Sequence, residues 1–154
     1  YFPNGSEVGS EKYDYKLAWL EALIQWLKSE LKNYPNLALL GDFNIAPDDR
    51  DVWDPKGWEG NILVSPQERQ AFQNLLSLGL NDSFRLFDQP EKRYTWWDYR
   101  MLGFQKNHGL RIDHILVSEA LKNSIKAVDI DKAPRKWTKP SDHTPYWISF
   151  QEKD

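Results

Sequence analysis

The chain has 154 residues, 40% of them apolar and 28% charged, which is the balance of a globular domain with a sizeable core. It contains no Cys, which excludes disulfides and thiolate metal sites and suits a reducing cytosol. The net charge of -3 argues mildly against a nucleic-acid partner. Carboxylates gathered around a bound cation soften that objection, as do local basic clusters at Arg135, Lys136 and Lys139 and at Arg93, Arg100, Lys106 and Arg111. The eight Trp residues include core fillers, and those beside Arg or Lys suit stacking on bases or sugars. No apolar run approaches the roughly 18 residues of a membrane span. No leader is legible either, so a cytoplasmic location is expected. The chain opens on Tyr1 rather than Met, and it is expected to be an excerpt of a longer protein.

In chain order, residues Tyr1 to Gly5 read as a strand end entering a loop. Leu17, Leu20, Leu23, Ile24, Leu27 and Leu31 recur at helical spacing and predict an amphipathic helix over Tyr13 to Lys32, stopped by Pro35 and Asn36. Leu37 to Leu40 is a short apolar strand, expected to be buried on both faces. Ile45 to Val64 is rich in Asp, Pro, Gly and Trp and reads as a long ordered loop, the kind that usually serves function. Ser65, Pro66 and Glu68 form a capping-box start for a helix that ends near Gly79. Strands are predicted at Tyr94 to Tyr99, Ile112 to Val117, Ile125 to Ile130 and Tyr146 to Phe150, with a helical turn at Ser118 to Leu121. No linker or repeat divides the chain, so it reads as one unit.

Three polar clusters accompany these apolar strands. Gly41-Asp42-Phe43-Asn44 closes one, and period-two spacing puts Asp42 and Asn44 on the same face. Asp42 can take a proton or orient water, and Asn44 can donate to a phosphate oxygen; a plain strand-to-turn transition is the alternative. In Arg111-Ile112-Asp113-His114-Ile115-Leu116, Asp113 interrupts an apolar alternation and needs a partner, for which a His is suited. A buried Asp capping a turn is the alternative. Ser141-Asp142-His143 offers a metal ligand beside a phosphate contact, or a solvated turn stiffened by Pro140 and Pro145.

Together the clusters carry a resemblance. Tyr1-Phe2-Pro3-Asn4-Gly5, Gly41-Asp42-Phe43-Asn44, Glu68-Arg69, Tyr94-Thr95-Trp96-Trp97-Asp98-Tyr99-Arg100, Gly109-Leu110-Arg111-Ile112-Asp113 and Ser141-Asp142-His143 follow in one order. This order resembles the exonuclease III family of class II abasic-site endonucleases, within the endonuclease/exonuclease/phosphatase superfamily. The resemblance runs from Tyr1 to about Phe150. It implies an α/β (α+β) fold, the C-terminal half of a four-layer α/β sandwich of DNase I-like type, with mixed or antiparallel sheet flanked by helices. Residues 1–154 would then be the C-terminal part of a single domain whose parent is a monomer.

The resemblance implies hydrolysis of the DNA backbone 5′ to abasic sites, with 3′–5′ exonuclease and 3′-end-cleaning activity on double-stranded DNA. It implies Mg2+ or Mn2+ as cofactor. Asp42 would orient or deprotonate water, Asn44 would hold Asp42 and the phosphate, and Asp113 would hold His143 against the phosphate. Asp142 would be the metal ligand in this half, with Tyr1 near the phosphate or metal. Trp96, Leu110 and Ile112 would wall a pocket for a base-free sugar, and Arg85, Arg100 and Arg111 would contact phosphates. An Asn and a Glu expected from the preceding half have no counterpart here, so this span alone is expected to be inactive. Other readings are a superfamily phosphoesterase acting on a small phosphate ester, and a non-catalytic DNA-binding remnant.

Overall fold

The computed structural model describes residues 1–152. Helix α1 (Glu11–Asn33) begins two residues earlier than the apolar spacing predicts, because the Ser10 side chain caps it by accepting the Tyr13 amide. Its buried stripe is Tyr13, Lys16, Leu20, Ile24 and Leu27. Strand β1 (Ala38–Asp42) follows, then a short helix α2 (Pro55–Trp58) inside the long loop. Helix α3 (Pro66–Ser77) carries the complete capping box: Ser65 receives the Glu68 amide, and the Glu68 carboxylate receives the Ser65 amide. Gly79, at φ 101°, turns the chain into strand β2 (Leu80–Asp82), which the sequence reading missed.

The remaining strands are β3 (Trp96–Trp97), β4 (Gly109–Leu110), β5 (Asp113–Ser118), β6 (Ile125–Ile130) and β7 (Tyr146–Phe150), with helix α4 (Glu119–Lys122) after β5. The strand expected over Tyr94 to Tyr99 shortens to two residues, since its neighbour β4 is equally short. All pairings are antiparallel: β1-β5-β2, β3-β4 and β6-β7.

Strand β5 is the spine. Leu116 packs with Phe2, Phe43, Phe72 and the apolar stripes of α1 and α3. On its other face Ile115 and Val117 pack with Ile125, Val128 and Ile148 of the β6–β7 pair. The strand buried on both faces is therefore β5. Within this span the expectation for Leu37 to Leu40 is met on one face only: among the described residues β5 is the one strand paired with β1, and Leu40 is 63% exposed. Leu39 still packs into the α1–α3 core, so β1 buries one face only.

The loop from Ile45 to Val64 is held by charge. Asp51, inside a 3-10 turn (Asp49–Asp51), accepts from Arg111 Nε at 2.7 Å and from Arg85 at 2.6 Å. Arg111 also binds Asp82 at 2.7 Å. Arg111 is 1% exposed, so its expected contact with DNA phosphate is replaced by a structural role; Arg85 is likewise turned inward onto Asp51. Burial works against the Arg111 charge, but Asp82 and Asp51 outweigh it and hold the guanidinium protonated more firmly than usual.

Arg111 also settles the tautomer of buried His114. A guanidinium only donates, so His114 Nδ1 accepts from it at 3.2 Å, and Nε2 donates to the Ile45 carbonyl at 2.8 Å. Burial first, and then the Arg111 charge, lower the His114 pKa from 6.5 to about 4. Between those values the unfolded chain binds a proton that the folded chain refuses. Stability should therefore fall as pH drops from 6.5 toward 4, by up to about 3 kcal/mol from this group. Thermal unfolding of wild type and His114→Gln across that range checks this: the variant should show the flatter pH dependence, and parallel curves would contradict it.

Candidate active site

The antiparallel register places Asp42, the last residue of β1, directly opposite Asp113, the first of β5. Residues opposed in this way share a sheet face, so the two carboxylates stand together at the strand ends. The third element is residues 140–144, which run beside β3. The Trp97 amide donates to Asp142 O at 3.1 Å, and the Thr144 amide to Thr95 O at 2.8 Å, carrying His143 over the carboxylate pair.

His143 Nδ1 lies 2.8 Å from Asp113 Oδ2, and Nε2 lies 3.6 Å from Asp42 Oδ2. Asp113 therefore fixes the ring orientation and leaves Nε2 facing Asp42 and the opening. Burial disfavours charge on His143, but its bond to Asp113 and the charges of Asp113, Asp42 and Asp142 outweigh it and raise its pKa. The Asp42 pKa is also raised, by burial first and then by Asp113; the Asn44 amide and His143 oppose this. The three residues together can accept a proton, hold one and stabilise a developing negative charge.

The other residues named from sequence divide. Asp142 stands at the same site, one carboxylate oxygen receiving Trp96 Nε1 at 3.0 Å. Asn44 supports Asp42 through its backbone amide at 2.8 Å, at a left-handed φ of 51°, while its side chain donates to Phe2 O at 2.9 Å. Its amide group is thus largely taken up in fixing the Phe2–Asn4 segment. Tyr1 is 97% exposed and its phenol has no hydrogen-bond partner among the described residues; the Phe2 amide bond to Asp42 O puts the residue beside the site. Leu110 and Ile112 are buried core residues with Val52 and Val64, so they do not line an open pocket, and Trp96 alone of the three reaches one. Arg100 is 85% exposed in its side chain and pairs with Asp98 at 2.6 Å.

One ligand atom each from Asp42, Asp113 and His143 lies within 4.8 Å of the others. This trio fits Mg2+ poorly, because the ion prefers about six oxygens and His143 Nδ1 is already bonded to Asp113. Asp142, whose second oxygen has no donor among the described residues, fits as one oxygen ligand of a larger set.

Three further residues were not legible as functional. Buried Thr95 receives the Ile112 and Asp113 amides on one hydroxyl, 3.1 Å each, and so sets the start of β5. Buried Lys16 pairs with Glu68 and donates to Asn44 O at 2.7 Å and Asn4 O at 3.1 Å, holding the Asp42–Asn44 turn from behind. Arg135, grouped above with surface basic residues, is buried against Trp97, Tyr99 and Phe104, 4.9–5.9 Å from their ring centres, and donates to Ser141 O at 2.9 Å. In sequence these are an ordinary strand Thr and two ordinary basic residues.

At these strand ends a carboxylate pair shares one imidazole. The chain belongs to the Endonuclease/Exonuclease/phosphatase family, whose profile matches residues 2–143. It is 39% identical to the Exodeoxyribonuclease III of Haemophilus influenzae over 98% of this chain and 60% of that relative. It is 39% identical to an exodeoxyribonuclease of Bacillus subtilis over 94% of this chain and 56% of the relative. The chain thus spans about 60% of the length of these relatives. Among solved structures, a 3′-5′ exonuclease from Neisseria meningitidis aligns with a TM-score of 0.95 and 47% identity over 99% of this chain and 59% of its own. An AP endonuclease from Archaeoglobus fulgidus gives 0.94 and 35% over 99% and 60%. These neighbours share the α/β fold with its antiparallel sheets. No helix among the described residues is long and apolar enough to cross a membrane.

The Arg135 clasp yields a prediction. Arg135→Met keeps the aromatic packing but frees the Ser141 carbonyl. Amide exchange at Trp97 and Thr144, the donors that hold the His143 segment, should quicken by about tenfold, the scale of one charge-assisted hydrogen bond. Unchanged exchange would show that the segment needs no clasp.

Proposed function

We propose that this chain is the C-terminal part of a single-domain, metal-dependent DNA repair phosphodiesterase. It cuts the backbone of double-stranded DNA 5′ to abasic sites and removes nucleotides and blocking groups from 3′ ends. The observation that carries this reading is the Asp42–His143–Asp113 constellation at the mouth of the sheet. A rim beside it of half-buried Trp96 with exposed Arg100 and Lys106 favours a nucleic acid over a small phosphate ester. The names of its relatives, an exodeoxyribonuclease III, a 3′-5′ exonuclease and an AP endonuclease, support the same reading.

In this mechanism Asp42 takes the proton of the attacking water. Its raised pKa makes it a stronger base than an exposed carboxylate, and the Asn44 amide keeps one of its oxygens oriented. His143, kept protonated to higher pH than usual, lies against the scissile phosphate and stabilises its growing charge. Asp113 holds that imidazolium. Mg2+ or Mn2+, held in part by Asp142, supplies polarisation of the phosphoryl oxygen and stabilisation of the leaving 3′-oxygen. Arg100 swings from exposed Asp98 to a backbone phosphate, and Tyr1 adds a phenol at the rim.

In the full-length protein, Asp42→Asn should cost about 10²–10⁴-fold in nicking of an abasic duplex while DNA binding persists, since shape is kept and the proton acceptor lost. Near-normal turnover would reduce Asp42 to a turn residue. Chelation should abolish nicking, and added Mg2+ should restore it; nicking that persists in EDTA would exclude the metal.

A further inference from the structure

With Leu110 and Ile112 buried behind it, the space beside Trp96 has other walls. It is a cleft of about 490 Å3 lined by Trp53, Trp58, Trp96, Met101, Lys106 and His108. We propose that this cleft is a nucleobase site, which receives the base of an unpaired 3′-terminal nucleotide while its phosphodiester lies against Asp42 and His143. The inference rests on the phosphodiesterase reading above. It deepens that reading by assigning the base of a 3′ nucleotide its own walls, distinct from Leu110 and Ile112.

Ring chemistry is the first support. Three indoles and an imidazole surround the cleft, and every base offers a π-face to such rings, so the site would tolerate any sequence. Rigidity is the second. Trp53 stacks on His108 with ring centres 3.7 Å apart and planes 6° apart. Its amide donates to Gly109 O at 3.1 Å, and Val52 bridges to Leu110, so the backbone behind the ring is strand-paired. A Trp held this firmly yet 39% exposed is not filling a core. Size is the third: the volume lies in the range of small-ligand pockets, and a lone deoxyribose leaves most of it empty.

Charge and connection complete the case. Arg100, paired with Asp98, also stands at the rim, and Lys106, which has no carboxylate partner among the described residues, suits the phosphate of a bound nucleotide. The bond from Trp96 Nε1 to Asp142 joins one wall of the cleft to the segment that carries His143. A base seated here therefore lies next to the hydrolytic groups.

The test compares two duplex ends in the full-length protein, one closed by a natural 3′ nucleotide and one by a 3′ residue lacking its base. Trp53→Leu fills the space without a ring. It should lower kcat/KM on the base-bearing end about tenfold more than on the base-free end, the scale of one lost stacking partner. Trp53→Phe should restore most of that ratio. Equal losses on both ends, or no loss, would overturn the proposal. A second arm reads Trp fluorescence quenching in EDTA by DNA hairpins carrying the same two ends. Tighter binding of the base-bearing hairpin, lost in Trp53→Leu, supports the cleft, and equal affinities overturn it. Failure of the parent protein to hydrolyse either end sinks the phosphodiesterase reading, and the cleft then stands or falls on the binding arm.

Discussion

A guanidinium buried in an apolar interior has to be neutralised where it lies, and Arg111 is neutralised by carboxylates from two distant places, Asp51 in the long loop and Asp82 at the end of β2. Removing either would leave an uncompensated buried charge, a loss of about 3–5 kcal/mol. Much of the architecture follows from this ion cluster. The Arg111 amide also bonds to Asp51 O, so the loop runs beside β4 and sets the position of Val52 and Trp53. Two residues after Arg111 stands Asp113, and three after it stands His114, whose neutral form is locked by the same cation. The core, the aromatic cleft and the carboxylate pair thus share one electrostatic anchor.

Lys16 and Arg135 extend the same physics to the site. Each is a buried cation that bonds to the backbone carbonyl beside a functional side chain: Lys16 to Asn44, after Asp42, and Arg135 to Ser141, before Asp142 and His143. They hold these groups by different means. Lys16 has Glu68 as its counter-charge. Arg135 has no carboxylate partner among the described residues and is held by three aromatic faces, with its Nε unpaired. Functional side chains at strand ends are only as well placed as the backbone that carries them, and here that backbone is fixed from behind.

What the sequence made legible follows from how local each signal is. The Ser65–Glu68 box is a four-residue pattern, and the α3 start falls where it points. Asp113 could be paired with a His because a carboxylate in an apolar strand demands a partner, and His143 meets it at 2.8 Å. Burial of long polar side chains is not local. Arg111 and Arg135 read as surface cations because their counter-charges and rings come from remote segments. Leu37 to Leu40 read as doubly buried because an apolar run does not say which strand sits centrally; that is decided by pairing, and β5 took the place. Leu110 and Ile112 were expected at a pocket wall, yet both lie buried with Val52 and Val64, while Trp53 and His108 line the cleft beside Trp96. Trp53 could not be found because its stacking partner, His108, is 55 residues away.

The net charge of -3 looked unfavourable for a DNA partner, yet it says little about the site. Arg85, Arg93 and Arg111 are each paired with a carboxylate of this chain, so those charges cancel locally. The strand-end site carries a small surplus of negative charge: Asp42, Asp113 and Asp142 against the single imidazole of His143. That surplus raises the pKa of His143, and Asp113 within it helps raise that of Asp42. In the proposed reaction a phosphate would settle there only with positive charge beside it, from the imidazolium and from a cation that Asp142 would help to hold. The carboxylates that would repel such a phosphate thus favour protonation of the imidazole and, with burial as the larger cause, Asp113 helps make Asp42 more basic.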